Sequence, residues 1–178
     1  MPRRPRMYLP TLAYHLVQRG NNRNPCFFDA AGRKYERTAS LWDGRHKSSP
    51  VDTQTQLLKC YRYIELNPVR AKITDSPENY LWSSYAANAL GEDSTMLSPH
   101  AEYNGRGATR EDCCVAYRGI VRECLDDRDL QGINKAIHDC RPLGDDRFRQ
   151  KIEDNLGIPI GQQRRGRPRR RNTEMVNN

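Results

Sequence analysis

The chain has 178 residues, room for one compact domain or two small ones. Only 36% of them are hydrophobic, and 30 Lys+Arg against 22 Asp+Glu give a net charge of +8. No run of 18 apolar residues occurs, which excludes a membrane-spanning helix; no apolar block follows the first arginines, so no secretory leader and a cytoplasmic location are expected.

The basic charge is concentrated at the ends. Residues 1–23 and 161–178 hold eleven arginines against one glutamate, a balance of +10, and the 19 basic and 21 acidic residues between them leave −2. Basic ends on a near-neutral body suit a polyanion, because arginines displace counterions condensed on phosphates. The alternative is a solvated tail that aids solubility. Six cysteines, at 26, 60, 113, 114, 124 and 140, form no CxxC pair and no zinc-like spacing, so they read as reduced, partly buried thiols.

Along the chain, "LAYHLVQRG" reads as a strand with His15, Val17 and Arg19 on one face and Tyr14 and Leu16 on the other, closed by the turn-rich "GNNRNP". "GRHKSSPV" reads as a short strand that Pro50 confines to a sheet edge. Asp52 or Thr53 is placed to cap a helix, Thr53-x-x-Gln56 having the form of a capping box, and Pro68 ends that helix near Asn67. Further helices are expected at "TREDCCVAYRGIVRECL", "LQGINKAIHDC" and "DDRFRQKIEDNLG", the last stopping at Gly157. From Gly161 the Arg/Gly/Pro/Asn-rich tail is expected to be disordered.

On a wheel of roughly 100° per residue starting at Leu57, Tyr61, Ile64, Cys60 and Leu58 form one apolar stripe, so Tyr61 reads as core. Tyr63 falls near 240°, off the stripe, and Asn67 near 280° on the same flank. An off-core tyrosine is ordinarily a rim residue with its hydroxyl in water.

The blocks "RGNNR", "LWDGR", "YRYIELNPVRA" and "WSSY", in this order, resemble the REP-associated tyrosine transposases, single-tyrosine transposases of the HUH nuclease class. The resemblance implies an α+β fold with a ferredoxin-like sheet. It also implies a helix tyrosine that attacks single-stranded DNA to leave a 5′-phosphotyrosine. A divalent metal (Mg or Mn) would polarise the phosphate, held by a His-x-His pair and a polar side chain one helical turn past the tyrosine. Carried onto this chain, Tyr63 matches the nucleophile and Asn67 the third metal ligand. Hairpin-forming single-stranded repeats would be the DNA partner, with Arg19, Asn21, Asn22 and Arg23 as contacts.

The chain departs from that pattern at the metal. Its four histidines, His15, His46, His100 and His138, form no His-x-His pair. "CFFDAAG" runs almost directly into "RKYERTASLWDGR", as if a segment carrying both ligands and about half the sheet had been lost near Gly32–Lys34. The expectation is a truncated sheet remnant over 1–90, a mainly helical C-terminal region over 91–160 and an Arg-rich tail over 161–178, with no tightly bound metal and Tyr63 inert alone. Arg45 and Lys47 beside Trp42 are further DNA-contact candidates, though Trp42 also suits core packing. Arg165-Gly166-Arg167-Pro168 has the AT-hook form, in which two arginines enter an A·T minor groove, against the alternative of non-specific phosphate contact. Three functions follow: a transposase-type enzyme, a non-catalytic binder of hairpin or A·T-rich DNA, or a decayed product with exposed sheet edges.

Overall fold

The computed structural model describes residues 7–20, 42–123, 125–157 and 159–160. Two antiparallel strands, β1 (Ala13–Val17) and β2 (Lys47–Val51), precede a helical remainder. The helices are α1 (Thr53–Glu65), α2 (Asn67–Arg70), α3 (Tyr85–Leu90), α4 (Ala101–Asn104), α5 (Arg110–Arg122), α6 (Asp127–Asp139) and α7 (Asp146–Leu156), with a 3₁₀ turn at Pro77–Asn79. The class is therefore α+β, with a small sheet and mostly helix. No helix among the described residues is long and apolar enough to cross a membrane.

The sheet follows the period-2 alternation of its sequence. His15 pairs across from Ser49 and Val17 from Lys47. His15 is buried and Ala13 and Val17 pack on the core, whereas Leu16 turns outward and is 60% exposed. Pro50, which has no N–H to give, sits opposite Tyr14. In a two-stranded sheet β2 is an edge strand, as Pro50 predicts, and a single isolated bridge covers part of its outer side. Leu143 donates its N–H to Pro50 O at 2.8 Å and accepts from Asp52 N at 2.9 Å, bridging in parallel to Val51. The carbonyl of Pro50 is still free to accept, so proline does not prevent this pairing.

α1 starts at Asp52, whose carboxylate accepts from Gln54 N at 3.3 Å and from Thr55 Oγ1 at 2.7 Å. The expected Thr53–Gln56 box is not the cap, because Asp52 already serves the first turn; the reciprocal box lies at α5, between Thr109 and Asp112. Asp52→Ala should lower stability by about 1 kcal/mol, seen as a reduced urea midpoint at unchanged m-value. α6 begins before the expected Leu130, because Asp126 accepts from Asp129 N and caps an extra turn. α7 ends at Gly157 as expected, with φ 64 in the left-handed region where glycine carries no Cβ penalty.

The tyrosine helix ends differently from its sequence reading. α1 stops at Glu65, Leu66 interrupts it, and Pro68 stands in the first turn of α2, where its missing N–H costs nothing. Lys72, at φ 56, then reverses the chain, and Ile73 N bonds back to Pro68 O at 2.9 Å.

Two apolar clusters share α1. One joins Val51, Cys60, Ile133, Ala136, Ile137 and Leu143, with Ala13, Val17 and Tyr63 packed against it. The other joins Leu58, Tyr85, Ala89, Tyr103, Cys113 and Tyr117. Both draw residues from either side of position 90. Polar ties run across the same boundary: Ser49 Oγ to Ala136 O at 2.9 Å, Lys59 to Asp129 at 2.7 Å, and Arg62 Nη1 to Ile120 O at 2.7 Å.

Candidate functional site around Tyr63

Tyr63 is half-buried, its ring lying on the first cluster. The edge of the His15 ring meets it in a T-shaped contact, centroids 5.8 Å apart and planes at 71°. Its hydroxyl, at the surface, donates to Asn134 Oδ1 of α6 at 2.8 Å. Over the ring lies Arg70, its guanidinium carbon 4.7 Å from the centroid, a cation on the negative face of an aromatic ring. Arg70 Nη2 also donates to Tyr63 O.

Arg70 follows Tyr63 by seven residues, two helical turns on and on the same side, because Leu66 keeps right-handed helical geometry between α1 and α2. Its long side chain runs back along that side to the ring. Partial burial depresses the guanidinium below its ordinary pKa, but arginine remains charged. No carboxylate among the described residues forms an ion pair with it.

His15 is 6% exposed and its Nδ1 has no hydrogen-bond partner. Burial lowers its pKa, so the imidazole is neutral at pH 7. Asn67 is exposed at the start of α2, beyond the break, so Tyr63 and Asn67 belong to two elements instead of one continuous helix. The other histidines are scattered: His46 precedes β2, His100 caps α4 through Nδ1, and His138 stands in the last turn of α6 beside Asp139. Among the described residues no group of three His, Cys, Asp or Glu side chains is placed to hold a metal ion.

Two predicted DNA-contact blocks are brought together. Asp43 N donates to Arg19 O at 2.9 Å and Gly20 bridges to Trp42, which sets the exposed Arg19 beside the turn carrying the exposed Arg45. Trp42 itself is half-buried. Lys47 reaches the other way, its Nζ 3.4 Å from His138 O. Asn21, Asn22, Arg23, the Gly32–Lys34 junction and the Arg165, Gly166, Arg167, Pro168 motif lie outside the described residues, as do Cys26 and Cys124. Cys60, Cys113 and Cys114 are free and buried, and burial pushes the Cys60 thiol up to about 12, which keeps it protonated and unreactive.

The wheel missed two buried polar residues. Arg62 is buried on α1 and ties it to α5. Glu65 is fully buried and takes three donors: Ser84 Oγ and Asn88 Nδ2 on Oε1, the latter at 2.8 Å, and Tyr117 Oη on Oε2 at 2.7 Å. "YIELNP" and "WSSY" thus meet in the interior. Burial pushes the Glu65 carboxyl above its usual range against the opposing pull of its donors, and burial with Glu65 alongside pushes the Tyr117 phenol far up. Near 80° on the wheel, Glu65 lies between Tyr61 and Leu58, so its position in the stripe was the available signal.

No protein-family model matches the sequence, and neither a curated protein nor a solved structure matches it significantly.

Proposed function

We propose that the chain is a DNA-binding protein related to the single-tyrosine transposases that its sequence blocks resemble, with Tyr63 in the place of the family nucleophile, and that it does not cleave DNA by itself. In this reading β1 and β2 are the remnant of a ferredoxin-like sheet whose middle has been lost. The observation that carries the proposal is the setting of Tyr63: a hydroxyl at the surface on a ring that packs on the first cluster, under a guanidinium with no acid partner among the described residues. The paired Arg19 and Arg45 turns add cationic surface. By resemblance, Asn21, Asn22 and Arg23 contact a single-stranded hairpin.

Attack by a phenol, with an ordinary pKa near 10, needs positive charge at the scissile phosphate. The candidate donors at Tyr63, the exposed Asn67 and Asn134 amides and the buried His15 imidazole, do not fit a divalent cation, which takes several charged oxygen or imidazole ligands together. A second reading, binding of A·T-rich duplex without hairpin recognition, is favoured by the Arg165–Pro168 motif.

The test is a gel shift with single-stranded hairpin DNA and with A·T and G·C duplexes, followed by denaturing electrophoresis in Mg²⁺ or Mn²⁺. A hairpin shift with no SDS-stable adduct is expected. An adduct absent from Tyr63→Phe overturns the non-cleaving claim, and no shift with any DNA overturns the binding claim. Preference for A·T duplex that disappears on removing residues 161–178 selects the second reading.

A further inference from the structure

We propose that Arg70 and the Tyr63 hydroxyl form a phosphate-binding pair, the guanidinium taking the non-bridging oxygens of one DNA phosphodiester while the phenol lies against it. This rests on the DNA-binding reading and names the residue that holds the phosphate.

The geometry points to a recognition role in three ways. First, Arg70 is fixed without being neutralised. The ring face of Tyr63 and the Tyr63 carbonyl hold it, yet no described carboxylate pairs with it. A guanidinium has five donors, and one hydrogen bond to a carbonyl leaves most of them for an incoming anion. Second, the position is built by the backbone. Arg70 stands on the helical α2 turn seven residues after Tyr63, on the same side, and its long side chain runs back to the Tyr63 ring and carbonyl. Little side-chain entropy then remains to be lost on binding. Third, the adjoining surface is hydrogen-bonding and uncharged. The phenol faces Asn134, whose amide tolerates an anion nearby, and the imidazole beneath is neutral.

Phosphate matches this set better than carboxylate ligands of small molecules. Arg70, Asn134 and the Tyr63 hydroxyl bond are exposed, so a strand can be laid across the site. The chain's excess of basic residues favours a polyanionic strand over a single small anion.

The experiment measures binding of a labelled single-stranded hairpin oligonucleotide by fluorescence anisotropy across a salt series. It uses the full chain and its Arg70→Gln and Arg70→Lys variants, with thermal melts to confirm folding. Arg70→Gln should weaken binding about tenfold or more, the worth of one charge-assisted hydrogen bond. It should also reduce the slope of log K against log salt by about 0.7, one single-strand phosphate. Arg70→Lys should restore the slope but only part of the affinity, because lysine keeps the charge without the planar fork. If the wild type binds and Arg70→Gln matches it in both affinity and slope, the phosphate role is overturned while the DNA-binding reading stands. If the wild type does not bind, the functional reading itself has failed. An Arg70→Gln chain that is folded but weaker at unchanged slope shows a purely structural arginine and also overturns the proposal.

Discussion

Glu65→Ala is expected to cost the fold about 3 kcal/mol or more, the largest loss from any single polar substitution here. The carboxylate is fully buried where α1, α3 and α5 meet, and its two oxygens receive Ser84, Asn88 and Tyr117. Alanine removes the acceptor and leaves three donors inside the protein. A buried donor without a partner costs about 1–3 kcal/mol, and the space vacated by the side chain adds a cavity term. Urea unfolding would show the loss as a fall in midpoint. A change below about 1 kcal/mol would mean that water reaches the three donors.

Glu65→Gln separates the charge from the hydrogen bonds. An amide can accept from Ser84 and Asn88 through its oxygen and donate to the Tyr117 oxygen through its nitrogen, so its cost should be about 1 kcal/mol. The pH dependence then has a definite sign. Glu65 has a folded-state pKa raised above its reference of 4.5, first by burial. Between the two values the folded chain binds more protons than the unfolded one, so this group's contribution falls as pH rises through the window and is constant above it. Tyr61, Tyr85 and Tyr117 around it all have raised pKa values and remain neutral throughout. The wild type should therefore lose stability relative to Glu65→Gln as pH climbs above 4.5 through the raised folded-state value. The opposite trend would show that the three donors outweigh desolvation.

What was legible in the sequence was periodic or local. Alternation in "YHLV" put His15 and Leu16 on opposite faces, and the His15 face is the inner one. The wheel's single apolar stripe became two clusters, with Tyr63 packed on one and Tyr61 on the other. The terminal glycine of α7 announced its end. What failed depended on partners distant in sequence. Ile64 falls within the stripe by angle yet is 43% exposed, while Arg62 and Glu65 of the same turn are the buried residues. Arg62 and Glu65 drew no reading from the sequence, yet α5 and α3 bring a carbonyl and three donors to them. Arg70 went unnoticed because the wheel was closed at Pro68, although seven residues after Tyr63 is a same-face helical spacing. Leu143, 93 residues beyond Pro50, bridges to the outer side of that edge strand, a contact that local pattern does not announce.

Ile133→Ala is the second large expected effect, about 2–5 kcal/mol, and its value lies in where the loss is felt. Ile133 is 1% exposed on α6 and shares a cluster with Val51 of β2, Cys60 of α1 and Leu143. A two-stranded ribbon is marginal by itself and holds only when a face is covered. Here the cover includes α6, which also accepts Ser49 Oγ at Ala136 O. The lost methyl groups should therefore loosen the sheet as well as α6. Hydrogen exchange should show faster amides in β1 and β2, with smaller changes in α3 and α5, which close on the other cluster. Val115→Ala, at an exposed position of α5, is the control and should stay within about 0.5 kcal/mol. If Ile133→Ala accelerates exchange in α6 alone and leaves β1 and β2 protected, the sheet does not depend on the C-terminal helices. The division at residue 90 would then mark two units that fold independently.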